Sequence, residues 1–173
     1  MKRLNKFIFL FISIFMFIGV AGNAFSINVY AQTPNIRFDV NKTTVSKGDN
    51  VRVNILLGES SGITSLKLKL SYDANVLQLL NAAPEKLNEC YFMGSEKISQ
   101  NPYVMVWLWN NGCPETASLV SLDFKVSDTA SLGTTKITVN VSEAFRQLQP
   151  VVLDGGDIYY YIGKYARRRY TRG

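Results

Sequence analysis

The side chains that could carry chemistry here are few: two cysteines (Cys90, Cys113), two tryptophans two positions apart (Trp107, Trp109), three consecutive tyrosines (Tyr159, Tyr160, Tyr161) and scattered aspartates. Histidine is absent. That removes His-based nucleophile triads, imidazole proton shuttles and His metal sites. Paired carboxylates across a cleft hydrolyse glycosides. Asp39, Asp49, Asp73, Asp123 and Asp157, however, fall mostly in turns or on the polar side of alternating segments, and nothing sets two of them across a cleft. They are also too dispersed for a calcium loop, which gathers its oxygen ligands within one short segment. These residue types point away from an enzyme and towards a binding surface.

Trp107 and Trp109 share parity and so face one side of a strand. Aromatic faces on a strand can stack on sugar rings, and a carbohydrate-binding sandwich is the competing function class, with a structural cell-surface adhesin domain as a third. Large aromatics at strand period usually bury, however, and both are read as core. Tyr159, Tyr160 and Tyr161 put aromatics on both faces of the last strand, so at least one is exposed; edge-strand packing is the expected reason. Cys90 and Cys113 are either bridged or two free thiols. An oxidising compartment permits the disulfide, and closing that loop stabilises by about 3 kcal/mol in the chain-entropy model.

The elements that must position these residues are strands. Leu66, Leu68 and Leu70 alternate strictly with Ser65, Lys67, Lys69 and Ser71, the pattern of a strand with one dry and one wet face. Tyr72-Asp73-Ala74-Asn75 is a turn, and Val76 to Leu80 resumes the strand. Ile36 to Val40, Val51 to Leu57, Leu119 to Val126 and Thr134 to Val141 alternate in the same way, Tyr103 to Asn110 is a strongly apolar strand and Ile158 to Ile162 a last strand, with Gly-, Asn- and Asp-rich turns such as Lys47-Gly48-Asp49-Asn50 and Asp154-Gly155-Gly156-Asp157. The segment from Pro84 to Pro102 is the least regular. Beyond the N-terminal segment no helical period is convincing. The prediction is an all-β, two-sheet antiparallel sandwich.

Lys2, Arg3 and Lys6 precede an apolar run from Phe7 to Val20 and a small-residue region, the layout of a secretory signal peptide over residues 1–31. The run is short for a membrane span, which needs about 20 apolar residues. Residues 32–162 suit one domain, and 163–173 form a basic tail. The formal charge of +6 drops to +3 without the three signal-segment cations. It drops to −2 without the five in the tail: Lys164, Arg167, Arg168, Arg169 and Arg172. A near-neutral body is not a nucleic-acid-binding domain. The tail reads as a solvated end, with an anionic surface as the alternative contact.

Four motifs, in order, resemble those of a cohesin domain, the receptor module of cellulosome scaffoldins. They are Val45-Ser46-Lys47-Gly48-Asp49-Asn50-Val51-Arg52-Val53, Gly62-Ile63 leading to Tyr72-Asp73-Ala74-Asn75-Val76-Leu77, Leu119 to Val126 followed by Ala130 and Gly133, and Asp154-Gly155-Gly156-Asp157-Ile158. The resemblance spans roughly residues 36–162. It implies a jelly-roll sandwich of about nine strands with no catalysis and no cofactor of its own. The implied activity is binding a dockerin, a calcium-loaded module carried by a protein such as a glycoside hydrolase. The calcium belongs to that partner, in assemblies that degrade polysaccharide outside the cell.

By the same resemblance, Ser65 and Lys67 occupy third-strand positions where many relatives carry Asn and Asp. Leu108 takes an outward apolar position on the fifth strand, and Asn111 lies near that strand's acidic end. Together these four form the expected partner-binding set. Lys67 departs from the family pattern: a lysine only donates hydrogen bonds, so it is expected to select an acidic or carbonyl-rich partner surface. Ala74 replaces a turn proline, and the loop Asn110 to Thr116 is shorter than in many relatives.

Overall fold

The computed structural model describes residues 34–164. The expected signal peptide, and all but the first two residues of the expected tail, lie outside the described residues. Eleven strands follow in chain order: β1 (Asn35–Val40), β2 (Thr44–Val45), β3 (Asn50–Gly58), β4 (Ile63–Tyr72), β5 (Leu77–Pro84), β6 (Cys90–Gly94), β7 (Tyr103–Trp109), β8 (Ala117–Val126), β9 (Gly133–Arg146), β10 (Gln149–Pro150) and β11 (Gly156–Ile162). One sheet has the order β1-β3-β8-β5; the other runs β2-β11-β9-β4-β7-β6, with β10 pairing β9.

Alternation dictates how the sheets stack. On β4, Leu66, Leu68 and Leu70 are fully buried; on β3 so are Val53, Ile55 and Leu57, and on β8 Leu122, Phe124 and Val126. These inward sets interdigitate with Met105 and Trp107 of β7, Ile137 and Val139 of β9, and Tyr160 of β11 to form one core. The turn after β4 is closed locally: the Asp73 carboxylate accepts the Asn75 N–H at 2.9 Å, and the Asp73 carbonyl accepts the Leu77 N–H at 2.8 Å. An aspartate does this because its short side chain mimics a turn of backbone.

The sandwich, the absence of helix among the described residues and the buried side of β4 agree with the sequence reading. Two of the eleven strands, β2 and β10, are only two residues long. The β2–β11 contact is parallel, so the second sheet is not wholly antiparallel. The irregular Pro84–Pro102 segment contains β6, which pairs in register with β7. β9 continues past Val141, where the alternation ends in sequence, because it carries a bulge. Lys67 pairs with Glu143 while Leu68 pairs with Val141, leaving Ser142 as the extra residue. Such an insertion reverses which face the following side chains take. It turns Glu143 outward and Ala144 into the core.

Gly62 and Gly112 fix where β4 starts relative to the end of β7. Both have positive φ (78° and 85°), and a Cβ on Gly112 would stand 2.8 Å from the Gly62 Cα. The Gly62 N–H donates to the Cys113 carbonyl at 3.0 Å, and the Cys113 N–H to the Ile63 carbonyl at 2.7 Å. Side chains cannot fit between these backbones, so the two strand ends meet directly.

Candidate functional site

Three of the four expected partner-binding residues meet on the outer face of the second sheet. Ser65 of β4 pairs opposite Leu108 of β7, and Leu108 opposite Tyr91 of β6. The next outward row is Glu143, Lys67, Val106 and Met93. Leu108, Tyr91 and Met93 are 41%, 63% and 43% exposed. The face thus carries an apolar block on β6 and β7, bordered on the β4 side by Ser65 and an ion pair. Lys67 Nζ lies 3.0 Å from Glu143 Oε1.

That ion pair changes the expectation for Lys67. The side chain is not a free cation awaiting an acidic patch. It already has a carboxylate neighbour, placed there by the β9 bulge. The surface therefore presents a neutral donor–acceptor pair, since the glutamate supplies acceptor oxygens beside the lysine's donors.

Asn111 sits apart from these rows. It follows the end of β7, and its side-chain amide donates to the Glu89 carboxylate. With Lys86, Leu87, Asn88 and Glu89 it lines an open groove beside the edge of β6. The structure brings Ser65, Lys67 and Leu108 together and leaves Asn111 at the sheet's end.

Tyr91, Met93 and Glu143 were not legible as site residues in the sequence. The run Cys90-Tyr91-Phe92-Met93 is apolar at every position, so period two cannot show which residues face out. Phe92 points inward and packs on Trp107, with centroids 5.1 Å apart. Glu143 is hidden by the bulge, which no residue type announces.

The remaining candidates are structural. Trp107 and Trp109 are 0% and 4% exposed, which removes them as a sugar platform and makes them core, as expected. Cys90 and Cys113 are unbridged thiols in this structure. Burial pushes both thiols up from their ordinary pKa, with the Ser60 hydroxyl partly opposing the rise at Cys113. At neutral pH both are protonated and weakly nucleophilic. Among the described residues no three His, Cys, Asp or Glu side chains gather as a metal site.

The outer face of the second sheet thus offers a registered apolar row with a polar border. A family model, the cohesin domain, matches residues 36–154. The chain belongs to the cohesin family.

Solved structures with the same fold include the seventh ScaB type I cohesin from Pseudobacteroides cellulosolvens. It has a TM-score of 0.64 at 16% identity, covering 82% of this chain and 99% of that one. A chain from a type I cohesin–dockerin complex of Clostridium thermocellum superposes with a TM-score of 0.58 at 13% identity, covering 74% and 99%. A non-cellulosomal cohesin from the archaeon Archaeoglobus fulgidus gives 0.59 at 17% identity, covering 75% and 92%. No curated protein matches the chain.

Proposed function

We propose that this chain is an exported docking module that binds a dockerin on a second protein through the outer face of β4, β7 and β6. The partner is a polysaccharide-degrading enzyme such as a glycoside hydrolase, and the calcium that orders the dockerin sits on that partner. The module contributes no catalysis. Its work is to hold the enzyme in an assembly outside the cell.

The observation that carries this reading is the row Ser65–Leu108–Tyr91, an exposed apolar centre in exact strand register beside a neutral Lys67–Glu143 pair. Stable interfaces place desolvated apolar and aromatic side chains centrally and polar groups around them. Family membership and the likeness to a cohesin solved together with a dockerin support the choice of partner class. Burial of Trp107 and Trp109 weakens the competing reading of a sandwich that binds sugar through its tryptophans.

A pull-down of a dockerin panel on the immobilised chain, with calcium and with a chelator, tests the proposal. At least one dockerin should be retained with calcium and released by the chelator. Retention of none by a folded chain would overturn the reading.

A further inference from the structure

We propose that the outer face of β11 is a second binding site, for an uncharged polysaccharide chain. The aromatics that carry it are Tyr159 and Tyr161, each 56% exposed, while Tyr160 between them is fully buried and anchors the strand to the core. The two outward residues lie on one face, with Cα atoms about 7 Å apart at strand spacing.

Both rings run along the strand. The Tyr159 hydroxyl donates to the Asp157 carboxylate at 3.2 Å, two residues back on the same face. Its ring is therefore drawn towards residue 157. Tyr161 leans the other way, over Gly163, where a Cβ would come within 3.4 Å of its Cε1. The ring thus lies in contact range of residue 163. The result is a strip, one strand wide, of two rings laid along the sheet surface.

The polar surroundings match an uncharged, hydroxyl-rich ligand. Asp157 also accepts from Thr138 Oγ1 at 2.6 Å and from Lys136 Nζ at 3.0 Å, so the local charges cancel. Exposed Thr134 and Thr44 flank Tyr161 in register on β9 and β2. Among the described residues β2 pairs with Tyr161 and Ile162 alone, and no strand lies beside the edge of Gly156–Tyr160. At the paired Lys136 and Asp157 a charged peptide would find no unmatched charge, and a globular partner needs a face of about 800 Å², broader than one strand. The slightly positive C–H face of a pyranose complements the negative face of an aromatic ring.

The strip is separate from the docking face. Tyr159 pairs with Lys136 and Lys67 with Glu143, positions seven residues apart on β9, or about 20 Å. The two sites can be filled together, and this proposal stands whether or not a dockerin binds.

The test is depletion of the full chain from solution by microcrystalline cellulose, xylan and mannan, with polygalacturonate as the charged comparison. At least one neutral polysaccharide should retain the chain. The double variant Tyr159→Ala/Tyr161→Ala should weaken that retention at least tenfold at unchanged melting temperature, and Leu108→Asp should leave it unchanged. No retention by any neutral polysaccharide, retention by polygalacturonate alone, or retention indifferent to the tyrosine pair would overturn the proposal.

Discussion

Lys67 and Glu143 face each other across β4 and β9, with Nζ 3.0 Å from Oε1, because a single extra residue at Ser142 turns the glutamate outward. The pair is half-exposed, so its contribution to stability is small, about 0.2–1 kcal/mol for surface ion pairs. Its value lies in the surface it presents. Lys67→Glu should weaken dockerin binding about tenfold by setting two carboxylates together, with a change in melting temperature of only a few degrees. The exchange Lys67→Glu/Glu143→Lys should recover most of the affinity. Titration calorimetry on the two single variants and the exchange checks this; equal affinities throughout would remove the pair from the interface.

Tyr91 gives a second prediction. It is the most exposed of the apolar row and sits on the edge strand β6. Tyr91→Ala should cost about 1–2 kcal/mol of dockerin affinity, as truncated interface aromatics do, with no loss of fold. The rate of dissociation should account for most of the change.

The wet and dry faces of β4 could be read directly from its sequence, and with them most of the fold. Alternation of Leu with Ser and Lys has only one solution in a two-layer sandwich. The same physics failed where the code is degenerate. β6 is apolar on both faces, so Tyr91 and Phe92 look alike in sequence, although one is exposed and the other packs on Trp107. A bulge is a backbone event, and Ser142 carries no mark of it. Asn111 was placed by motif position, but its partner, Glu89, comes from the irregular segment and could not be read there.

Among the described residues the buried Tyr160 hydroxyl has no hydrogen-bond partner, and burial pushes its pKa up to about 12. An orphaned hydroxyl opposes folding by about 1–3 kcal/mol. Tyr160→Phe should therefore leave the protein as stable as the parent or raise its melting temperature by a few degrees. Thermal unfolding followed by near-ultraviolet circular dichroism reads the result, and a clear loss of stability would show that the hydroxyl has a partner in solution.

Backbone closeness at Gly112 predicts the opposite sign. A side chain there meets Gly62 at 2.8 Å and must also hold a positive φ. Gly112→Ala should destabilise by about 1–3 kcal/mol, measured by denaturant unfolding, and should loosen the end of β7 nearest Leu108.

Stability against pH follows from three carboxylates. Hydrogen bonds from Lys42 and the Ser46 N–H lower Asp49, one from Arg52 lowers Asp123, and those from Thr138 and Lys136 lower Asp157, all below 3.8. A depressed carboxyl pKa stabilises the fold fully above the unfolded value, and that stability is lost as pH falls through the folded value. With no histidine in the chain, melting temperature should stay level from pH 5 to 8 and fall below about pH 4. A steep change between pH 6 and 7 would contradict this.

On this reading the face centred on Leu108 is the docking surface. Its most direct test is titration calorimetry of a calcium-loaded dockerin against the parent, Leu108→Asp and, as a control, Leu132→Asp. Leu132 is similarly exposed, at 48% against 41%, but lies in the turn between β8 and β9. Leu108→Asp should lose affinity at least a hundredfold and Leu132→Asp should lose none. Undiminished binding by a folded Leu108→Asp variant would contradict it.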